Sequence, residues 1–218
     1  MIDKDTATST TTVALGDLVR IVGAMAQHVS TDTARQSLCA IVIGADQIMA
    51  TDSYTAAIFT PTTAITTGIN CRFESVMIDG RELLTAVNNA HKALKRDGEP
   101  TVEIVSDGKR WVMTATGATA TTTAGGNVIK YAYPNVNAVF DQPADTINGW
   151  LPTGVNGDYL ARITTAHEKI TLSGKYRHGK ADTPLVIKNW LDNVKPIQFE
   201  TTTELGTLRQ LLMPVRPK

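Results

Sequence analysis

The chain is poor in cysteine, histidine and aromatic residues: two Cys, four His and 6% Phe, Trp and Tyr in 218 residues. The histidines are scattered and no Cys/His cluster forms, which argues against a structural zinc site, and no metal or cofactor is expected. Cys39 and Cys71 both sit in strand-like surroundings. With no export signal in the polar opening MIDKDTATSTTT, they are expected to be buried reduced thiols. Excess charge is also missing. Twenty-one basic residues balance 21 acidic ones, so any basic surface must be a local stripe offset by acid elsewhere. No apolar run exceeds strand length, the longest being of the order of Leu38 to Ile43, so no transmembrane segment and no membrane partner is expected.

Catalytic signatures are lacking too. There is no G-x-S-x-G elbow, and neither cysteine has a recognisable histidine partner. Gly174 to Ala181, GKYRHGKA, matches the start of a phosphate loop but puts Ala181 where Ser or Thr must hold magnesium. A basic hairpin loop is the expected reading. Together these absences predict a chain that is not an enzyme.

What is present is periodic. Apolar spacing predicts three helices: Asp17 to Val29, Arg81 to Arg96, and GDYLARITTAHE after Asn156 as N-cap. Between them lie short runs rich in Val, Ile and Thr. SLCAIVI and IMATDSYTAAIFT read as a hairpin, and so do TVEIVS and KRWVMTAT around Asp107-Gly108. GATATTTAGG reads as an exposed strand. KITLSGKY, TPLVIKNW, KPIQFETT and LRQLLMPVR form a last set of strands. The order repeats one helix followed by a meander, which predicts an α+β fold. Residues 1 to 9 are expected to be a tail.

Within ATDSYTAAI, Asp52 stands between two hydroxyls. It is expected to cap backbone amides where a strand leaves a hairpin, not to do chemistry. The helices carry the stronger signal. Arg81, Thr85, Asn88, Lys92 and Lys95 form an acid-free stripe with Arg96 alongside. Arg162, Lys169 and Arg20 offer basic groups on the other two helices. Three basic helix faces in a neutral chain point to sequence-independent contact with the phosphates of double-stranded DNA, while a plain solvated surface remains the alternative reading.

Several segments together resemble the bacterial β sliding clamps, the processivity factors of replicative DNA polymerases. ATDSYTAAI is similar to the family's A-T-D-G-x-x-L-A, and SVMIDGRELLTAVNNA to the opening of a clamp half-domain. YPNVNAVF is similar to Y/F-P-D-x-x-x-V, VNGDYLARI to F-N-x-x-Y-L-x-x-V, and LLMPVR to V-x-M-P-M-R. The resemblance implies repeated β-α-β-β-β units, with helices lining a central hole around duplex DNA and antiparallel sheets outside. It implies a replication protein of the cytoplasm, in a bacterial cell or a phage-infected host, with a replicative polymerase and a clamp loader as partners. It also implies a partner-peptide pocket. Carried over position by position, its wall comprises Thr51, Ser53, Ala56, Pro134, Ala138, Val139, Leu211, Met213, Pro214, Val215 and Arg216.

There are departures. Ser53 replaces the family's Gly, Ala56 its Leu, and Ala138 a residue that is usually basic. The chain is also short. It divides into a complete clamp domain over 10–130 and a shortened one over 131–218, which implies a ring of three or four copies. The rival reading is a clamp-derived adaptor or inhibitor that binds polymerase or loader peptides without closing a ring.

Overall fold

The computed structural model describes residues 13–44, 46–62, 69–71, 75–141, 155–171, 183–189 and 196–214, with the backbone alone for 69–71 and 189. The GKYRHGKA segment and residues Val215 and Arg216 lie outside these.

The first unit is a short strand β1 (Val13–Ala14), helix α1 (Leu15–Met25) and a meander of β2 (Ala40–Gly44), β3 (Ile48–Thr51) and β4 (Thr55–Pro61). Strand β5 (Ile69–Cys71) follows. The second unit repeats the plan with β6 (Ser75–Asp79), α2 (Gly80–Ala93), β7 (Thr101–Ser106), β8 (Arg110–Thr116) and β9 (Thr121–Asn127). After a short helix α3 (Val136–Phe140), the third unit contributes α4 (Gly157–Thr171), β10 (Val186–Asn189), β11 (Ile197–Thr203) and β12 (Gly206–Leu212).

Local chemistry sets these boundaries. Asp79 accepts from the N–H groups of Arg81 and Glu82 and so caps α2, while Asn156 accepts from Asp158 N–H at the start of α4. Helix α2 stops at Ala93, short of the expected Arg96. Asp97 leaves the helix to accept from Thr119 N–H at 2.9 Å and from its hydroxyl at 2.6 Å, tying the end of α2 to the β8–β9 turn. Helix α4 runs on through Thr171, so Lys169 to Thr171 are helical rather than the beginning of the strand read in KITLSGKY. Ile170 falls on the buried stripe with Ile163 and Ala166.

The strands form two sheets. One runs β1-β7-β8-β9, with β5 parallel beside β7; the other is a seven-stranded antiparallel sheet in the order β10-β11-β12-β4-β3-β2-β6. This larger sheet passes unbroken from the third unit into the first, because β12 pairs with β4 from Gly206↔Pro61 to Leu212↔Thr55. Helix α1 lies between α2 and α4. Beneath the helices one core unites Leu18, Ile21 and Met25 of α1 with Leu83 and Val87 of α2, and with Ile41, Phe59, Ile78 and Trp111 of the two sheets. The opposite face of the larger sheet is covered locally by α3, where Val136 and Phe140 pack on Ala56, Ile58 and Leu211. Cys39 is buried and free.

His28 closes a 3₁₀ turn after α1 and is fully buried, its Nε2 3.0 Å from Gln210 Oε1 on β12. Burial first, then the Arg162 charge, push its pKa down to about 4, against the opposing pull of the Gln210 bond and Asp52. The folded chain therefore holds His28 neutral where the unfolded chain protonates it. The stability this gives is complete above pH about 6.5 and is lost as pH falls from there toward 4, by about 3 kcal/mol in all. Chemical denaturation across this range is expected to show the decline in the wild type and a flatter curve in His28→Gln.

Candidate protein-interaction site

The long strand read through IMATDSYTAAIFT is broken. Between β3 and β4, Asp52 to Tyr54 form a tight turn. Asp52 N–H donates to Thr55 O at 3.1 Å, and its carboxylate Oδ1 accepts from the N–H groups of Tyr54 and Thr55 at 2.9 and 2.7 Å. Thr51 Oγ1 donates to Thr55 O and accepts from Ser53 N–H. The amide-capping role expected of Asp52 is what these bonds describe. Ser53 has φ of 81°, the left-handed region that favours glycine, and it stands where the resembling motif has Gly. Ser53→Gly is expected to raise unfolding stability by about 0.5–1 kcal/mol, the relieved Cβ strain being partly offset by glycine's entropy; urea denaturation reads it.

The second carboxylate oxygen of Asp52 faces Arg162 of α4. The guanidinium donates to Asp52 Oδ2 at 2.5 Å, to Gln27 O at 2.5 Å and to Val29 O at 2.9 Å. One cation thus joins the β3–β4 turn to carbonyls just beyond the end of α1. It also lies 5.6 Å from the centre of the Tyr159 ring, which stacks on Tyr54 at 5.1 Å. Beside this stack, Arg35, Arg81, Asp32 and Tyr54 help line an open polar cavity of about 530 Å³ between the ends of the helices.

On the other side of the turn is a smaller, mostly apolar pocket of about 220 Å³. Three segments far apart in sequence wall it: Thr51 to Ala56, Pro134 to Val139, and the end of β12. The third is anchored by Met213 N–H donating to Tyr54 O at 2.9 Å. Seven of the eleven expected wall residues meet here: Thr51, Ser53, Ala56, Pro134, Val139, Leu211 and Met213. Ala138 and Pro214 are described but stand off the lining. Tyr54, Thr55, Asn135 and Val136 also line it and were not anticipated. Tyr54 belongs to the turn between β3 and β4, which reading the segment as one strand leaves out. Tyr133 packs behind the pocket, and burial pushes its phenol pKa up.

The basic residues separate into two groups. Arg81, Lys92, Lys95, Arg96 and Lys169 are exposed and Asn88 is half-buried. The stem of Lys169 runs across Gly23 of α1. Arg20 and Arg162, expected among phosphate contacts, are instead committed within the molecule. Arg20 donates to Ile170 O at 2.6 and 3.0 Å and to Glu204 at 2.7 Å, just as Arg162 is taken up by Asp52 and two carbonyls. The exposed positive stripe is therefore concentrated on α2 and the turn that follows it. No group of three or more His, Cys, Asp or Glu able to hold a metal ion occurs among the described residues, and no helix there is long and apolar enough to cross a membrane.

No protein-family model matches the chain, and no curated protein matches it by sequence. Solved structures do. The β subunit of DNA polymerase from Streptococcus pyogenes matches all of this chain over 68% of its own length, at 13% identity and TM-score 0.65. The DNA polymerase sliding clamp of Caulobacter crescentus matches all of it over 68%, at 14% identity and TM-score 0.63. DNA polymerase III subunit beta of Borrelia burgdorferi matches all of it over 66%, at 10% identity and TM-score 0.67. The chain thus spans about two thirds of the length of these proteins. Helices over antiparallel sheets, in repeated helix-and-meander units, give this chain the fold of the bacterial DNA polymerase sliding clamps.

Proposed function

We propose that this chain is a sliding clamp: a homo-oligomeric ring that encircles duplex DNA and tethers a replicative polymerase and other partners through the pocket at the β3–β4 turn. The observation that carries the reading is the convergence of three distant segments on one apolar pocket, seven of whose lining residues the sequence resemblance named in advance. A clamp holds DNA by enclosing it, so it needs only weak phosphate contacts on the helical side, and exposed Arg81, Lys92, Lys95 and Arg96 with half-buried Asn88 supply them, joined by Lys169 on α4. Arg20 and Arg162 brace the helices instead. The clamp works in the cytoplasm of a bacterial or phage-infected cell and depends on a loader to open it. The alternative reading is a clamp-derived adaptor or inhibitor that binds polymerase or loader peptides through the same pocket without closing a ring.

The DNA-facing surface is tested with Lys92→Glu combined with Lys95→Glu. Duplex binding followed by fluorescence polarisation over a salt series is expected to weaken about tenfold or more at 0.1 M salt. The slope of log affinity against log salt should fall by about 2. Unchanged affinity and slope contradict the assignment of this face to DNA.

A further inference from the structure

Two cavities of opposite character meet at the β3–β4 turn, on a ridge one residue wide. Asp52 lines the polar cavity, Thr51 and Ser53 line the apolar pocket, and Tyr54 lines both. Tyr54 is fixed from either side. Its carbonyl accepts from Met213 N–H, and its ring, 51% exposed, stacks on Tyr159. An extended peptide advances about 3.3 Å per residue, so two or three residues carry it from one cavity over Tyr54 into the other.

The apolar pocket has no charged side chain in its wall. It suits an apolar anchor, and it has no group that distinguishes one partner from another by charge. The polar cavity has such groups. Arg35 and Arg81 are both exposed and both line it. Arg35 donates from Nε to Asp32 Oδ2 at 3.2 Å, and its two terminal nitrogens have no acceptor among the described residues. The Arg81 side chain makes no ion pair or hydrogen bond there, its main-chain N–H alone being bonded, to Asp79.

The charge of the cavity selects the occupant. The guanidiniums of Arg35, Arg81 and Arg162 stand against the carboxylates of Asp32 and Asp52, and Asp52 is already bonded to Arg162. One positive charge is left over. That suits a single carboxylate, which a guanidinium holds through two parallel N–H groups. A duplex backbone, with a charge about every 1.7 Å, would meet Asp32 on the same surface.

We infer that partner peptides are recognised in two parts: an apolar anchor in the pocket, and an Asp or Glu side chain on Arg35 and Arg81 in the polar cavity. The acid belongs to the same peptide and lies within about four residues of the anchor. This rests on the peptide pocket of the proposed function and adds the chemistry of the partner. An anchor alone binds, and an anchor with an acid beside it binds more tightly.

The test begins with random dodecapeptides selected on the full chain. Those recovered are expected to carry Asp or Glu at a fixed offset from the anchor. Replacing that acid by its amide is expected to weaken binding about fivefold at about 0.1 M salt, and less at higher salt. Arg35→Gln combined with Arg81→Gln should remove the difference between acid and amide peptides. Arg81→Gln alone, at a side chain with no bond to lose, should shrink that difference and keeps the test decisive if the pair disturbs the fold. Recovered peptides with no acid at a fixed offset overturn the inference, and so does an acid-to-amide loss as large in the variants as in the wild type. Arginine variants that weaken duplex binding and leave the acid peptides unaffected assign the cavity to DNA instead. Met213→Asp, measured with the same peptides, separates this inference from the reading it rests on. Peptides weakened by Met213→Asp but indifferent to their acid leave the pocket standing and sink recognition in two parts. Peptides indifferent to Met213→Asp sink the pocket itself.

Discussion

Arg162→Ala is expected to lower the unfolding free energy by about 3–5 kcal/mol, the cost of breaking a largely buried ion pair from one side. The Asp52 side chain is only 6% exposed, and among the described residues Arg162 is the one cation bonded to it. Removing the guanidinium also strands Gln27 O and Val29 O, two carbonyls just past the end of α1 that have it as donor. Arg162→Lys is expected to rescue little, because one ammonium on a flexible stem cannot reach three acceptors held on separate segments as a planar fork does. Asp52→Asn should cost less, since its Oδ1 bonds to the turn amides survive. The two changes should be strongly non-additive in a double-mutant cycle. Urea unfolding measures each. A loss below about 1 kcal/mol for Arg162→Ala would place the pair among weak surface bridges.

Met213→Asp is expected to weaken peptide capture by about ten- to a hundredfold, while leaving the fold intact. Met213 is 37% exposed and its part in the structure is its backbone bond to Tyr54 O, which the substitution keeps. Its side chain faces the pocket, whose volume of about 220 Å³ suits side chains of a short peptide. A flexible thioether adapts to such an occupant, whereas a carboxylate there must lose water against apolar surface, at about 1–3 kcal/mol. The probe is a hexapeptide selected by the wild-type protein from a random library, measured by polarisation. Ala138→Asp, exposed and off the lining, is the control and should bind within about twofold of wild type. Equal affinities for Met213→Asp and wild type would move the interaction surface elsewhere.

Much of this architecture is legible in the residues, for reasons that are local. The Leu83, Val87 and Leu94 stripe is a helix period, Asp107-Gly108 is a hairpin turn, and Asn156 caps the helix it precedes. The pocket was legible only because short motifs resembled a known family; periodicity alone could not bring residues 51, 134 and 213 together. The misses have a common cause in contacts between distant segments. The turn at Asp52 is hidden in a Thr- and Ala-rich run because its stabilising cation comes from α4 and its left-handed residue is Ser53, not Gly. Arg20 and Arg162 read as surface because a helical wheel shows which face a residue takes but not which neighbouring helix lies beside it. Helix α4 reads one turn too short because Ile170 fits both the strand alternation of KITLSG and the helical stripe of Ile163 and Ala166. Burial against the larger sheet settles it as helix.

Encirclement of duplex DNA is a topological property and calls for a topological measurement. Linear duplex is ligated into circles in the presence of the protein, and the products are passed over a sizing column at high salt, where phosphate contacts are screened. A ring around the duplex predicts that the protein elutes with closed circles and is released when a restriction enzyme linearises them. Protein that leaves closed and cut DNA alike at high salt would contradict encirclement, and would leave the adaptor reading with the pocket as its working surface.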